Sequence, residues 1–490
     1  MKPIALLLLP LFCPAAVLPS DVSAVVDLAR SAPGEFAADA LIRVAALDRL
    51  EKPRRIELLE EAFRRASEAQ EPLKREAAIA RAGGPASFLN RAYGQDLDAL
   101  SLRMRAVEAM LVLDKRKARE LFQQMPPLEV PKVACEQSMV YNVDRYYAVL
   151  GQIAKQSYTP KETARNEPVR LLEQAVRTLT SSAQVKPAAL MTLNAGLKDQ
   201  DLQLVSAALA GALGKIMGDD RTFTHYSVTT GPAILDLVNE LKQRKLNPLP
   251  LVEGYRLYLV NNLAGDRCAD DDLMQNGANS YSMATGRAAD ALGGEAAAFY
   301  NRQIRMSPLQ PLSENEMTPS KLEGAAAGLR SCRDKECASI SEQYRVLVFD
   351  AGGRPLRGDE KNTPEWRAML QQFLTAMASW TASTDASETE FFREKSEFYN
   401  ALIAALPNGP TRQDVLRSWL DFLQKEHNPS LQRIEWLLPV NTLIGRVSLD
   451  PLGVGKIADE LRQVKDPVIA LYVELERLAP RTPDRIMSLL

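Results

Sequence analysis

The stretch GDRCADDD, residues 265–272, sets Asp266, Cys268, Asp270 and Asp272 at alternate positions. Carboxylate oxygens in that arrangement suit the first ligands of a calcium loop, because the hard ion is bound by several oxygens from alternate residues. An EF-hand also needs glycine at the sixth position and glutamate at the twelfth, where Asp271 and Gly277 stand, and cysteine occupies the third. What is left is a weak, irregular calcium site on Asp266, Asp270 and Asp272, set against a plainer reading: solvated aspartates capping the next helix.

Histidine chemistry is sparse, since the chain holds only His225 and His427. Neither belongs to an HExxH pattern or a close Cys/His cluster, so a zinc site is not expected. His225, in TFTHYSVTTG, reads as a loop residue beside Ser227, Thr229 and Thr230. A Ser–His nucleophile would need a GxSxG elbow, which is missing, and a carboxylate partner that the sequence does not identify. His427, just before Asn428 and Pro429, reads as the end of a helix, where an imidazole offsets the dipole. DPLGVGKIAD, residues 450–459, has Asp450 where a phosphate loop needs glycine and Ile457 where it needs Ser or Thr. The expected set is therefore no catalytic residue, no cofactor and no metal beyond the aspartate candidates.

The first twenty residues, MKPIALLLLPLFCPAAVLPS, run from a positive charge through an apolar stretch to small residues. That order predicts a signal peptide over residues 1–20 and an exported, periplasmic or extracellular protein. No later stretch is long and apolar enough for a stable membrane insertion. After the leader, Cys135, Cys268, Cys332 and Cys337 remain, and an oxidising compartment predicts disulfides. Cys332 and Cys337 can close a local loop and leave Cys135 with Cys268; pairing of Cys268 with Cys332 or Cys337 stays open. With 60 basic and 62 acidic residues, no bulk attraction to nucleic acid is expected. Arg54, Arg55, Arg64, Arg65 and the run Lys115, Arg116, Lys117, Arg119 interleave with glutamates at helical spacing, which predicts ion-paired faces.

The elements that would carry these residues are helical. Ile56, Leu59, Phe63 and Ala66 recur at three- and four-residue steps, as do Ile234, Leu237, Val238 and Leu241, and Val468, Leu471, Leu475 and Leu478. DLQLVSAALAGALGKIM reads as a central buried helix, its Gly211 and Gly214 admitting a close neighbour. Start signals agree: Thr159 and Ser387 each precede a glutamate by three residues, and Thr363 and Asp466 each precede a proline. Strand signal is confined to YRVLVFDAGGRP, which predicts at most one short β-hairpin near 344–358. The expected fold is all-α, an irregular array of antiparallel helical hairpins. Its parts are N-terminal hairpins over 21–125, a central helical region over 126–306, an irregular cysteine-containing connector over 307–362 and a C-terminal helical block over 363–490.

LSLRMRAVEAMLVLDKRKARELFQQMP, with Ala106, Ala109 and Leu113 before Asp114 and Ala118, Leu121 and Phe122 after it, resembles a tetratricopeptide-type hairpin. AADALIRVAALDRLEKPRRIELLEEAFRRASEA does so less closely, and no fixed period runs along the chain. As a whole the sequence resembles uncharacterised exported α-helical repeat proteins of bacteria, of the irregular α-solenoid kind, which implies fold without activity. Two functions follow as expectations: a non-enzymatic scaffold binding a protein or peptide partner, or an all-α toroid hydrolase or lyase acting on a polysaccharide or peptide. The second needs a concave cluster of Trp366, Trp380, Trp419 and Trp436 beside paired carboxylates, whereas the aliphatic neighbours of these residues point to core packing.

Overall fold

In the computed structural model the described residues are 20–77, 85–132, 139–216, 222–263, 335–382, 388–407, 409–426, 432–448, 459–461 and 463–481. They form an all-α fold with one small sheet. The N-terminal helices are α1 (Ser20–Ser31), α2 (Gly34–Ala45), α3 (Lys52–Arg65), α4 (Pro85–Tyr93), α5 (Ala99–Leu113) and α6 (Lys115–Gln123). In α3, Leu59 and Phe63 are buried as their spacing predicts, joined by Leu58 and Ala62. Asp114 alone connects α5 to α6, and its carboxylate accepts from the Lys117 amide at 3.0 Å. One residue thus ends one helix and caps the next.

Most of the basic residues on these faces are ion-paired. Arg54 pairs with Glu57, Arg65 with Glu68, Lys117 with Glu60 and Arg119 with Glu162.

The central helices are α7 (Asp144–Gln156), α8 (Pro160–Ala164), α9 (Glu167–Arg177), α10 (Val185–Asn194), α11 (Asp199–Leu213), α12 (Phe223–Gln243) and α13 (Leu249–Leu263). Thr159 and Glu162 make the reciprocal capping box at α8. α11 is buried along most of its length, but neither Gly211 nor Gly214 provides the close approach expected of them: Gly211 has open space and Gly214 only ordinary contact with Leu257. Gly254 on α13 provides it instead. A Cβ there would lie 2.4 Å from the Ala210 carbonyl oxygen and 2.7 Å from the Ala210 Cα. Backbone cannot give way as a flexible side chain would. Gly254→Ala is therefore expected to cost about 1–3 kcal/mol through overpacking, partly offset by alanine's helix propensity. A thermal midpoint unchanged or raised by this substitution would show that α11 and α13 do not meet here.

The C-terminal helices are α14 (Lys335–Val348), α15 (Pro364–Ser379), α16 (Glu388–Ala405), α17 (Pro410–Lys425), α18 (Arg433–Ser448) and α19 (Pro467–Leu478). Thr363 caps α15, and Asp466 caps α19 by accepting from the amides of Val468 and Ile469 at 2.9 Å. All four tryptophans are buried: Trp380 packs edge-on against Phe391, Trp419 stacks on Tyr399, and the indole N–H groups of Trp366 and Trp436 donate to the carbonyls of Leu347 and Leu423. They are core, not a sugar platform.

Three local expectations are corrected. Residues 344–348 are not a strand but the last turn of α14, because Cys337, Ile340, Tyr344, Leu347 and Val348 share one buried helical stripe. Within the limit of one short hairpin near 344–358, the chain there makes one antiparallel bridge, Phe349 with Pro355, around a turn in which the Asp350 carboxylate accepts from the Gly352 and Arg354 amides. The sheet lies elsewhere: β1 (Arg75–Ala77) pairs antiparallel with β2 (Met139–Tyr141), with Arg75 opposite Tyr141. Thirdly, the segment 307–362 is not irregular throughout, since α14 falls within it.

Consecutive helices pair as a hairpin array requires: α2 with α3, α5 with α6, α16 with α17, α17 with α18. A simple solenoid brings each repeat into contact with its neighbours alone. Here, in addition, α19 packs against α1 and α2, and α18 against α4. Phe36 meets Tyr472 edge-on, Arg433 bonds the buried Glu35 at 3.2 and 3.3 Å, and Arg91 pairs with Glu397. The first and last described helices thus share one core. No described helix is long and apolar enough to cross a membrane.

Candidate functional site

Helix α2 is buried almost all round, yet it carries Glu35, Asp39 and Arg43 at steps of four. That spacing places three charges in one line along the helix. Each is paired with a distant element: Glu35 with Arg433, Asp39 with Arg105, and Arg43 with Glu476. The last two pairs border a cavity of about 570 Å³ between the N-terminal helices and α18 and α19. Its walls include Asp39, Arg43, Leu47, Gln95, Leu97, Arg105, Asn441, Tyr472, Leu478 and Arg481.

The charges in this wall are held by dense bonding. Arg105 donates through Nη2 to Asp39 Oδ1 at 2.6 Å and through Nη1 to the Asp96 carbonyl at 3.2 Å, while the Tyr472 hydroxyl donates to Asp39 Oδ2 at 3.1 Å. Burial by itself would raise the Asp39 pKa, but the charges of Arg105 and Arg43 and these bonds outweigh it and hold it below the usual value. Asp39 is thus an anchored anion, not a proton donor. Arg43 Nη2 donates to Glu476 Oε2 at 3.0 Å and to the Ala479 carbonyl at 2.6 Å, beyond the C-terminus of α19, where a cation is favoured by the helix dipole. Arg481 Nε reaches the same Glu476 Oε2 at 2.8 Å, and burial pulls its pKa below the usual arginine value.

Two wall residues have unmet bonding capacity. Gln95 spends both amide hydrogens on the carbonyls of Ala92 and Ile434, at 3.0 and 2.8 Å. Its Oε1 must then accept from Asn441 Nδ2, at 2.7 Å, which fixes the Asn441 amide and leaves Asn441 Oδ1 buried with no protein partner. Arg481 Nη2 is likewise buried with no partner, on a side chain only 10 % exposed.

The loop between α4 and α5 divides this cavity from a smaller one of about 160 Å³. Gln95 and Leu97 line the larger, Asp96 the smaller. Asp96 adopts a left-handed backbone conformation, φ +58°, that aspartate tolerates better than most residues. Its carboxylate is bonded by Lys74 at 2.8 Å and Arg145 at 3.4 Å. Beside it, Asp98 caps α5; burial, only partly countered by Ser101, pushes its pKa up to about 6.

His225 is not on a loop. It stands in the first turns of α12, drawn there by burial of Phe223, Tyr226 and Thr230 on that helix, which overrides the polar, glycine-containing local sequence. The structure supplies the carboxylate that the sequence could not name: Glu76 on β1. His225 Nε2 lies 3.3 Å from Glu76 Oε1, to which the Tyr226 hydroxyl donates at 3.1 Å, and Asn142 donates to Oε2 at 2.8 Å. Burial opposes ionisation of Glu76, but these bonds prevail and hold its pKa down to about 2. The same Tyr226 hydroxyl hydrogen is shared with the Tyr141 carbonyl on β2. Thr229 lies one turn along from His225, but its hydroxyl donates to the Tyr226 carbonyl, as does that of Thr230. What the group does in these bonds is tie α12 to the two-stranded sheet.

Cys337 is buried in the first turn of α14. Asp266, Asp270, Asp272, Cys135, Cys268, Cys332 and His427 lie outside the described residues. Among the described residues no group of three or more His, Cys, Asp or Glu is placed to hold a metal ion. The residues of the larger cavity were missed in sequence because Asp39, Arg105, Asn441, Tyr472 and Arg481 come from separate helices. The line Glu35, Asp39, Arg43 in an otherwise apolar helix was the one signal that could have found them. Comparison with protein-family models, curated proteins and solved structures finds no match to this chain.

Proposed function

We propose that the protein is an exported, non-enzymatic binding protein for a peptide or protein segment, and that the arginine-lined cavity between its N- and C-terminal helices is the seat. The observation that carries this reading is the pair of cavity residues with buried, partnerless polar atoms, Arg481 and Asn441. Each such atom costs about 1–3 kcal/mol, a cost that a ligand bonding to it relieves. The volume fits a compact ligand group. Recognition is favoured over hydrolysis by the state of the carboxylates: Asp39 is locked between Arg105 and Tyr472, and Glu476 is shared by Arg43 and Arg481. A general acid–base pair needs carboxyls that can exchange protons with a substrate. The leader and the even cysteine count support export, with disulfides among Cys135, Cys268, Cys332 and Cys337.

Native mass spectrometry of the mature protein with a random tetrapeptide mixture tests this. One-to-one adducts that release intact peptides are expected. Cleaved products would overturn the non-enzymatic reading, and an absence of adducts the binding one.

A further inference from the structure

We infer that the cavity recognises the free C-terminal residue of a peptide, its carboxylate on Arg481, its amide N–H on Asn441 and an aliphatic side chain against Leu47, Leu97 and Leu478. The inference rests on the binding reading above and names its ligand class.

Charge comes first. Three guanidiniums, those of Arg43, Arg105 and Arg481, meet two carboxylates, those of Asp39 and Glu476, so one positive charge is left for a single anionic group. The surplus lies at Arg481. Arg43 and Arg105 are each bonded to a carboxylate and to backbone carbonyls, whereas Arg481 shares its carboxylate with Arg43 and keeps Nη2 without a partner. A carboxylate is the planar acceptor that a guanidinium fork fits best.

The second requirement is a donor. Asn441 Oδ1 is held as an acceptor by the chain of bonds through Gln95, so the ligand must bring an N–H or O–H near its anionic group. The third is apolar surface: Leu47, Leu97 and Leu478 share the wall with these polar groups. A peptide's last residue carries all three features on one carbon atom. An inorganic anion has no apolar part and would leave most of a cavity of about 570 Å³ to water.

Both partnerless atoms are shielded by neighbouring wall side chains, so ligand entry has to displace those neighbours while the Asn441 amide keeps its bond to Gln95.

Fluorescence polarisation with an N-terminally labelled Ala-Ala-Leu peptide, as free acid and as C-terminal amide, tests the assignment on the unaltered mature protein. The acid is expected to bind at least tenfold more tightly than the amide. Arg481→Gln should remove that preference when measured well below its own thermal midpoint, which circular dichroism establishes. Unlabelled N-acetylleucine, which carries the same carboxylate, amide N–H and side chain, should displace the labelled acid, whereas acetate at equal concentration should not; equal displacement by acetate would replace the peptide end with any small carboxylate. Equal affinity for acid and amide would overturn the terminal-carboxylate inference and leave peptide binding standing. Failure of both forms to bind, in protein that also forms no adducts with the tetrapeptide mixture, would overturn both.

Discussion

Asp39→Ala is expected to lower the unfolding free energy by about 3–5 kcal/mol, because it leaves the Arg105 guanidinium buried without its carboxylate. The magnitude follows from geometry. Asp39 is 7 % exposed and accepts bonds from both Arg105 and Tyr472, so one deletion strands two donors from different elements. These belong to α5 and α19, and the loss therefore loosens the contact between the two ends of the chain. Asp39→Asn keeps the shape and an acceptor, and should cost about 1.5–3 kcal/mol, the worth of hydrogen bonds to a charged group. Urea unfolding of the three proteins checks the order. A loss below about 1 kcal/mol for the alanine variant would mean that cavity water solvates Arg105 as well as Asp39 does.

The pH dependence has a definite sign. The folded pKa of Asp39 lies below its unfolded value, so its stabilisation is complete above the unfolded pKa, near 3.9, and disappears as pH falls through the folded one. The parent protein should lose stability on acidification through this range more steeply than Asp39→Ala.

Lys395→Met is expected to stabilise the protein by about 1–3 kcal/mol at pH 7. Lys395 is 4 % exposed, its Nζ 5.0 and 4.8 Å from the ring centres of Phe391 and Phe422, and it donates to the Trp380 carbonyl at 2.7 Å. Burial pulls its pKa from 10.5 down to about 8, only partly offset by Glu426. That displacement corresponds to about 3 kcal/mol spent keeping the ammonium charged inside the core at neutral pH. Methionine fills similar volume without a charge. Part of the gain is returned, because the Trp380 carbonyl loses its donor and the two rings lose a cation.

Here the linkage runs opposite to that of Asp39. Between about pH 8 and 10.5 the unfolded chain binds more protons at this lysine than the folded one, so the parent protein gains stability as pH rises through that window. The methionine variant has no such titration, and its advantage should shrink by pH 10. Urea midpoints at pH 7 and pH 10 measure both effects. A variant less stable than the parent at pH 7, or an advantage independent of pH, would show that the lysine's bond and ring contacts outweigh its desolvation.

Much of the helical architecture is written locally. The stripe Ile234, Leu237, Val238, Leu241 is buried as its spacing requires, and Thr159, Thr363 and Asp466 cap the helices they precede. These features depend on neighbours three or four residues away, so periodicity and capping chemistry were enough to find them. Where local preference and burial disagreed, local reading failed: YRVLV has β-forming residues but a buried helical stripe, and TFTHYSVTTG has loop composition but packs as helix. Arg75–Ala77 has no strand signature at all and pairs with a partner more than sixty residues on.

Only the tertiary structure decided the site. Spacing could show that Glu35, Asp39 and Arg43 share one face of a buried helix, and that such charges need partners. It could not show that the partners are Arg433, Arg105 and Glu476, two of them from the other end of the chain, nor that a cavity lies between them. Helix formation is determined within a few residues of sequence, whereas pairing of buried charges depends on which distant helices share a core, and that is set by packing of the whole chain.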